Sequence, residues 1–106
     1  MKRRLTYRPE ALAELDEIAA YTRSTWGGQQ AKRYIGAMVT DITALRTSAR
    51  HYPLFDQVYP DLRRKRSAMH HIYFLALDDR VEIVRIMHVQ RDPGRFLKVG
   101  NWTDAE

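Results

Sequence analysis

The sequence contains no cysteine among its 106 residues. This absence excludes a disulfide-stabilised scaffold, a thiol nucleophile and a zinc site built on thiolates. It also fits a reducing compartment. No stretch approaches the roughly 20 apolar residues of a membrane-spanning helix, and the basic N-terminus is not followed by the apolar run of a signal peptide. We therefore expect a cytoplasmic protein that makes no membrane contact.

Positive charge is in excess and is unevenly distributed. The chain has 18 lysines and arginines against 13 aspartates and glutamates, which gives a net charge of +5 and a pI near 9.8. Up to residue 60 there are nine basic and six acidic residues, whereas residues 62–98 hold nine basic and four acidic ones. A basic face of this kind can bind nucleic acid, an acidic protein or both, or it can be an ordinary solvated surface.

The first half has the pattern of a strand and two helices. Residues 3–7 are short and β-prone, which predicts an edge strand. A helix is expected from Pro9, because proline suits the first helical position, to the Gly27-Gly28 pair. A second helix is expected from Gln29 to about Ala49. The apolar positions are Leu12, Leu15, Ile18 or Ala19, Thr22 and Trp26 in the first helix, and Ala31, Tyr34 or Ile35, Met38, Ile42, Leu45 and Ala49 in the second.

The second half changes to the pattern of strands. Residues 50–61 carry two prolines and predict an irregular connection. Three strands are expected at Leu62–Ser67, Ile72–Leu77 and Val81–Met87, the last two joined by a turn at Asp78-Asp79. The nearly continuous apolar runs favour strands that are covered on both faces.

These elements predict one α+β domain over residues 1–99, followed by a flexible tail at 100–106. The expected order is a strand, an α-helical hairpin and a three-stranded antiparallel meander, with the helices packed on one face of the sheet. Phe96, Leu97 and Val99 are expected to pack back onto the core.

The order and spacing of particular residues resemble toxins of the RelE/ParE superfamily, and among these the ParE branch. The resemblance covers roughly Thr6 to Asp92. It departs from the pattern at Phe74, which is followed by Leu75 rather than a second aromatic residue, and in the strongly basic run Arg63–Arg66. The residues that carry it are Tyr7, Pro9, Ala11, Glu14-Leu15, Ile18, Tyr21, Trp26-Gly27, Ala31, Tyr34, Leu62-Arg63, Ile72–Leu77, Val81–His88 and Arg91-Asp92.

The resemblance implies a function and a partner. Members are the toxin halves of bacterial type II toxin–antitoxin modules, of the kind associated with plasmid stabilization, and each is neutralised by a cognate antitoxin, here ParD-like. ParE-like members are associated with inhibition of DNA gyrase, whereas RelE-like members cleave mRNA on the ribosome. The resemblance therefore implies a gyrase inhibitor, with a ribosome-dependent endoribonuclease as the alternative.

A ribonuclease would need a base, an acid and cations around the phosphate. The candidates are His88, Arg85 and Arg63. In a regular strand, His88 and Arg85 point to opposite faces, so they would share a site only if a bulge intervened. None of the six tyrosines lies in the C-terminal segment. These observations favour a protein that is not an enzyme, and they leave a purely structural role open for His88.

Metal, cofactor and direct nucleic-acid binding are all disfavoured by the sequence. Adjacent histidines such as His70 and His71 point to opposite faces of a strand, and no HExxH spacing accompanies them. The Gly27-Gly28 pair ends a helix and does not form a phosphate-binding loop. The second helix carries basic residues at Lys32, Arg33 and Arg46, too few and too scattered for a recognition helix. We therefore expect no metal and no cofactor.

A basic surface is predicted to bind the target. It could contact gyrase in a toxin of the ParE kind, or hold mRNA in an enzyme of the RelE kind. A third hypothesis is a module that has lost toxicity and only titrates an antitoxin. The predicted target-binding residues are Arg63, Arg64, Lys65, Arg66, Arg85, His88 and Arg91.

Overall fold

Two long helices cover one face of a four-stranded sheet. The computed structural model describes residues 2–56 and 59–96. The strands are β1 (Arg4–Tyr7), β2 (Leu62–Ser67), β3 (His70–Ala76) and β4 (Arg80–His88), and the helices are α1 (Pro9–Trp26), α2 (Gly28–Ser48) and the short α3 (Pro93–Phe96), with a 3₁₀ turn at Ala49–His51. The strand order is β1-β4-β3-β2, with β1 parallel to β4 and the other neighbours antiparallel.

The predicted order of elements and the α+β fold class are confirmed. The antiparallel meander of β2, β3 and β4 is present, and the predicted turn at Asp78-Asp79 joins β3 to β4. β3 begins at His70, two residues earlier than expected, because its first residues still pair with β2 and β4. The predictions for Leu97, Val99, the tail at 100–106 and the packing of the Phe96 side chain lie outside what the structure describes.

The main core lies between the helical hairpin and the sheet. From α2 it receives Met38, Ile42 and Leu45, and from the sheet it receives Phe74 and Ile83, all of which are buried. The α2 stripe therefore packs as its spacing predicts, since residues three and four apart share one helix face. Burial of these side chains holds the hairpin against β3 and β4.

The opposite face of the sheet carries a second, smaller core. Tyr73, Val84 and Met87 are buried there, and Phe55 and Tyr59 from the irregular connection pack against them. The apolar runs of β3 and β4 are therefore covered on both faces, as their composition indicates.

The buried stripe of α1 is shifted from the predicted one. Ala11 is fully buried, whereas Leu12 and Trp26 are 49% and 68% exposed. The prediction that Leu12 and Trp26 belong to the buried face is therefore wrong. The face that packs on the sheet begins one residue earlier, and Trp26 lies at the helix end, where the sheet no longer covers it.

A β-bulge interrupts the pairing of β3 with β4. Tyr73 lies opposite Arg85, but the next residue, Phe74, lies opposite Ile83, so Val84 is an extra residue in β4. A bulge of this type shifts the alternation of side chains by one position. As a result, His88 lies on the α1 side of the sheet, the side that Ile83 also faces. From Arg85 to His88 the pairing with β3 is regular, so no bulge lies between these two residues. Both nevertheless line the same cavity, because the Arg85 side chain reaches Glu14 on α1.

Gly27 has a backbone conformation that only glycine adopts readily. It joins α1 to α2 with φ of 95° and ψ of 162°, a region costly for residues with a Cβ. We expect Gly27→Ala to lower the free energy of unfolding by roughly 1–3 kcal/mol. Gly28 is helical and has open space around it, so Gly28→Ala is the matched control and should leave stability unchanged or slightly raised. Equal effects of the two substitutions in urea unfolding would contradict this account.

Candidate binding groove and basic surfaces

A groove runs along α1 beside the end of β4. It consists of two adjoining cavities of about 400 Å³ each, which share Glu17, Ile18, His70 and His88 as lining residues. The part of β4 that follows the bulge, from Arg85 to His88, forms one wall. The groove therefore forms where α1 and the end of β4, two segments distant in sequence, lie side by side.

One cavity of the groove is charged and is organised by Glu14. The Oε2 atom of Glu14 accepts hydrogen bonds from Nε and Nη2 of Arg85, at 2.8 and 2.6 Å. Its Oε1 atom accepts the backbone N–H of Ile86 at 2.8 Å. The carboxylate thus satisfies a backbone donor at the bulge and holds the Arg85 guanidinium, with both side chains largely buried. Glu10 and Arg91 also line this cavity.

The other cavity of the groove is apolar and aromatic. Tyr21 and Trp26 are each 68% exposed, and Met69 is 46% exposed, all three along the same cavity. Clustered exposed apolar side chains of this size commonly mark interaction sites. This feature was missed at the sequence level, because the spacing of Trp26 placed it on the buried stripe of α1.

Two histidines meet where the two cavities join. His70 and His88 are paired residues of β3 and β4, and their ring centroids lie 5.5 Å apart. The hydroxyl of Tyr34 lies 2.9 Å from Nδ1 of His70, and the backbone N–H of Gln90 donates to Nδ1 of His88. Burial, and then the neighbouring His88, lower the pKa of His70 to about 4. His70 is therefore neutral at pH 7.

The basic run in β2 is divided between the two faces of the sheet. Arg63 donates to the carbonyl of Tyr52, and Lys65 donates to the Tyr52 hydroxyl, both on the helix side. Arg64 stacks on the ring of Phe55 on the opposite face, with its Cζ 4.2 Å from the ring centroid. Arg66, two residues further along β2, is exposed and donates to the carbonyl of Ala68. Alternation along the strand thus separates neighbouring cations.

The structure therefore distributes the predicted target-binding residues over three places. Arg85, His88 and Arg91 line the groove. Arg63 and Lys65 lie on the helix side of β2. Arg64 and Arg66 lie on the face of the sheet that points away from the helices, called here the outer face. On the outer face, burial and the positive charges of Arg64 and Arg66 lower the pKa of His71.

The three candidate ribonuclease residues do not converge. His88 pairs with His70, which pairs with Ser67, so Ser67 marks the level of His88 on β2. Arg63 precedes Ser67 by four positions, or roughly 13 Å along the strand, and β2 is two strands away from β4. Arg63 and His88 therefore cannot hold the same phosphate.

Comparison with known proteins then identifies the family. Residues 5–93 match the family described as ParE toxin of type II toxin-antitoxin system, parDE. The chain belongs to the ParE toxin family. The Toxin ParE of Escherichia coli is 31% identical over 84 residues, covering 78% of this chain and 82% of that protein. The Toxin ParE1 of Mycobacterium tuberculosis is 26% identical over 98 residues, covering 92% of this chain and all of that protein.

Solved structures agree on the fold of this ParE-type toxin. A chain of the chromosomal ParDE system from P. aeruginosa superposes with a TM-score of 0.74 at 20% identity, covering 84% of this chain and 98% of that one. A mutant of the E. coli toxin RelE in the free state superposes with a TM-score of 0.64 at 15% identity, covering 96% of this chain and 99% of that one. Both branches of the predicted superfamily therefore share the architecture.

The described residues show neither a metal-binding cluster nor a membrane-spanning helix. Within residues 2–56 and 59–96, no three His, Cys, Asp or Glu side chains are grouped closely enough to hold a metal ion. Among the same residues, no helix has the length and apolar character needed to cross a membrane.

The lowered pKa of His70 makes the stability of this ParE-family chain depend on pH. The unfolded chain takes up a proton at this residue near pH 6.5, whereas the folded chain does so only near pH 4. The stabilising contribution is therefore complete above pH 6.5 and is lost as the pH falls from 6.5 to 4. Because the ring is only half-buried, solvent screening limits it to about 1–2 kcal/mol. Between pH 7.5 and pH 5, the free energy of unfolding measured in urea should fall less for His70→Gln than for the parent chain. An equal fall in the two chains would contradict the lowered pKa of His70.

Proposed function

We propose that this toxin inhibits DNA gyrase by protein–protein contact, without catalysing a reaction, and that a ParD-like antitoxin neutralises it. The observation that carries the proposal is the separation of the candidate catalytic residues. Arg85 is held by Glu14, and Arg63 lies two strands away from His88. Candidate residues that do not converge on one phosphate are poorly suited to phosphodiester cleavage.

The groove supports a binding function in a second way. Its Trp26 end offers large, exposed aromatic side chains, and such residues dominate the energetics of protein interfaces. We propose that an apolar segment of the antitoxin occupies this end. The Glu10 and Arg91 end, which carries charges of both signs, would then fix the orientation of that segment.

The gyrase surface remains the basic one. Arg64 and Arg66 lie on the outer face, and Arg91 and His88 lie at the groove. Arg85 is engaged by the Glu14 carboxylate, so its part in target binding would be indirect. Arg63 and Lys65 lie on the helix side of β2, away from Arg64 and Arg66. An acidic surface of the target would complement Arg64 and Arg66.

The ribonuclease alternative rests on a different observation, the pairing of His70 with His88 at an open groove. Two imidazoles are a minimal acid–base pair. If this reading held, induction would produce cut mRNA in toeprinting, and His88→Ala would abolish both the cuts and the growth arrest.

Plasmid topology in living cells distinguishes these proposals. After induction without antitoxin, a gyrase inhibitor should relax a reporter plasmid on chloroquine gels before protein synthesis falls. A fall in protein synthesis with plasmid supercoiling intact would contradict gyrase as the target and favour the ribosome. Normal growth on induction would instead support the hypothesis of a module that only titrates an antitoxin.

A further inference from the structure

We propose that the end of the molecule opposite the groove binds the phosphate backbone of a nucleic-acid duplex. This surface, called here the arginine end, lies at the turn between β3 and β4. Binding at this surface would depend neither on the groove nor on which target the toxin has. Its residues are Arg3, Arg4, Arg46, Arg50, Arg63 and Arg80.

Three separate stretches of sequence bring these arginines together. The parallel pairing of β1 with β4 places Arg4 beside Arg80. Arg3 and Arg46 bond reciprocally, since the N–H of Arg3 donates to the carbonyl of Arg46 and Nε of Arg46 donates to the carbonyl of Arg3. Arg50 reaches across from the end of α2 and donates to the carbonyl of Ala76. The N-terminal strand, the end of α2 and the sheet therefore form one surface.

Neutral carbonyl groups hold most of these guanidinium groups in place. Nε of Arg3 donates to the carbonyl of Leu77 at 2.8 Å, and Nη1 of Arg63 donates to the carbonyl of Tyr52 at 2.6 Å. A carbonyl fixes the orientation of a guanidinium without cancelling its charge, so the cations are preorganised for an anion.

The carboxylates at this end are fewer than the arginines. Asp79 bonds Arg4 and Arg80, Glu82 also bonds Arg80, and the fully exposed Asp78 bonds Arg50. The hydrogen bond from Arg4, together with the charges of Arg4 and Arg80, lowers the pKa of Asp79. The carboxylates of Asp61, Asp78, Asp79 and Glu82 thus stand against a larger number of guanidinium groups, so positive charge is in excess at this end.

A cleft gives this surface a place for a phosphate group. It has a volume of about 270 Å³ and lies between Arg50 and Arg63, with Asp61 at its wall. Arg63 was predicted to contact the target beside His88, and the structure assigns it instead to this end of the sheet. Two guanidinium groups across a cleft match the geometry of phosphate recognition.

The scarcity of apolar anchors favours a phosphate backbone over an acidic protein. Among the described residues, Leu54 is the one large exposed apolar side chain beside this surface, since it forms a β-bridge with Arg63 and is 50% exposed. The others lie outside the arginine cluster, and they are Leu12, Tyr21, Trp26, Val39 and Met69. Protein interfaces need such anchors, whereas backbone contacts to a duplex need mainly cations. The sequence argument against a recognition helix stands, so the expected binding has no base preference.

Fluorescence anisotropy with a labelled 20-base-pair DNA duplex tests the proposal on the purified chain. The variant is Arg4→Gln with Arg50→Gln, two exposed positions. The matched control is Arg23→Gln with Arg33→Gln, which removes the same charge at exposed positions on α1 and α2. We expect the variant to bind at least about tenfold more weakly at 50 mM salt, with a salt dependence shallower by about two. The control should stay within about twofold.

Several results would overturn the proposal. One is no binding of the parent chain at 50 mM salt, and another is an equal loss in variant and control, which would mean a response to net charge alone. A polyglutamate peptide that competes more strongly than unlabelled duplex would assign the surface to an acidic protein instead. An RNA duplex run in parallel identifies which nucleic acid is preferred. Arg4→Lys with Arg50→Lys should recover most of the affinity, which shows that the loss is not one of folding.

Discussion

Replacing Glu14 with alanine is expected to lower the free energy of unfolding by about 2–4 kcal/mol. The substitution removes the carboxylate that accepts both Arg85 hydrogen bonds and the N–H of Ile86 at the bulge. Both side chains of the ion pair are largely buried, at 17% and 20% exposure. Removing one partner of such a pair leaves the other charge poorly solvated, which costs more than the pair itself contributes.

Two further variants separate the causes of this loss. Glu14→Gln keeps an oxygen that can accept the Ile86 N–H, so it should recover part of the lost stability. Asp16→Ala removes an exposed acid from the same helix and should change stability by less than about 0.5 kcal/mol. Urea unfolding monitored by circular dichroism gives all three values. If Glu14→Ala and Asp16→Ala were equally mild, the carboxylate would not be what holds the bulge.

The second large effect is expected on binding rather than on stability. Tyr21→Ala combined with Trp26→Ala should weaken binding of the proposed ParD-like antitoxin by about 30-fold or more, because exposed aromatic residues in a groove are typical hot spots. Both side chains are 68% exposed in the free chain, so the free energy of unfolding should change little. Isothermal titration calorimetry with the purified antitoxin measures the affinity.

Leu12→Ala combined with Val39→Ala is the matched control for this prediction. These residues are also exposed apolar side chains on α1 and α2, but neither lines the groove. Antitoxin affinity should therefore remain within about threefold of the parent value. If the control weakened binding as much as the groove variant, the antitoxin would lie elsewhere on the helical hairpin.

Most of the fold could be predicted from the sequence because local signals agree with one another. Pro9 and the Gly27-Gly28 pair mark the ends of the first helix, and the period of the apolar residues separates helices from strands. The Asp78-Asp79 turn defines the hairpin of β3 and β4. The exposure of Leu12 and Trp26 could not be predicted in the same way, because it depends on which face of α1 packs on the sheet and on where the sheet ends beneath the helix.

The candidate site was harder to predict, because it depends on pairing between distant residues. Val84 is one apolar residue in an apolar run, and nothing in the run shows that it is the extra residue of a bulge. Glu14 and Arg85 are 71 positions apart, so their ion pair has no local signature. The single basic run of β2 likewise forms two surfaces, because successive side chains of a strand point to opposite faces of the sheet.

The positive surface, too, depends on pairing between residues that are distant in sequence. By sequence the positive charge is densest after residue 62, but Arg3, Arg4 and Arg46 from the first half join Arg63 and Arg80 at one end of the sheet. The parallel pairing of β1 with β4 is what brings them there. A count along the chain does not reveal such a surface, since it ignores contacts between distant elements.

The most direct test of the account is a supercoiling assay with purified gyrase, relaxed plasmid and ATP. The account predicts that the purified chain inhibits supercoiling at micromolar concentration, that added antitoxin restores activity, and that Arg64→Gln combined with Arg66→Gln weakens inhibition while leaving the free energy of unfolding nearly unchanged. Unimpaired supercoiling at these concentrations, with the chain shown to be folded, would contradict the claim that this ParE-family toxin acts by binding gyrase.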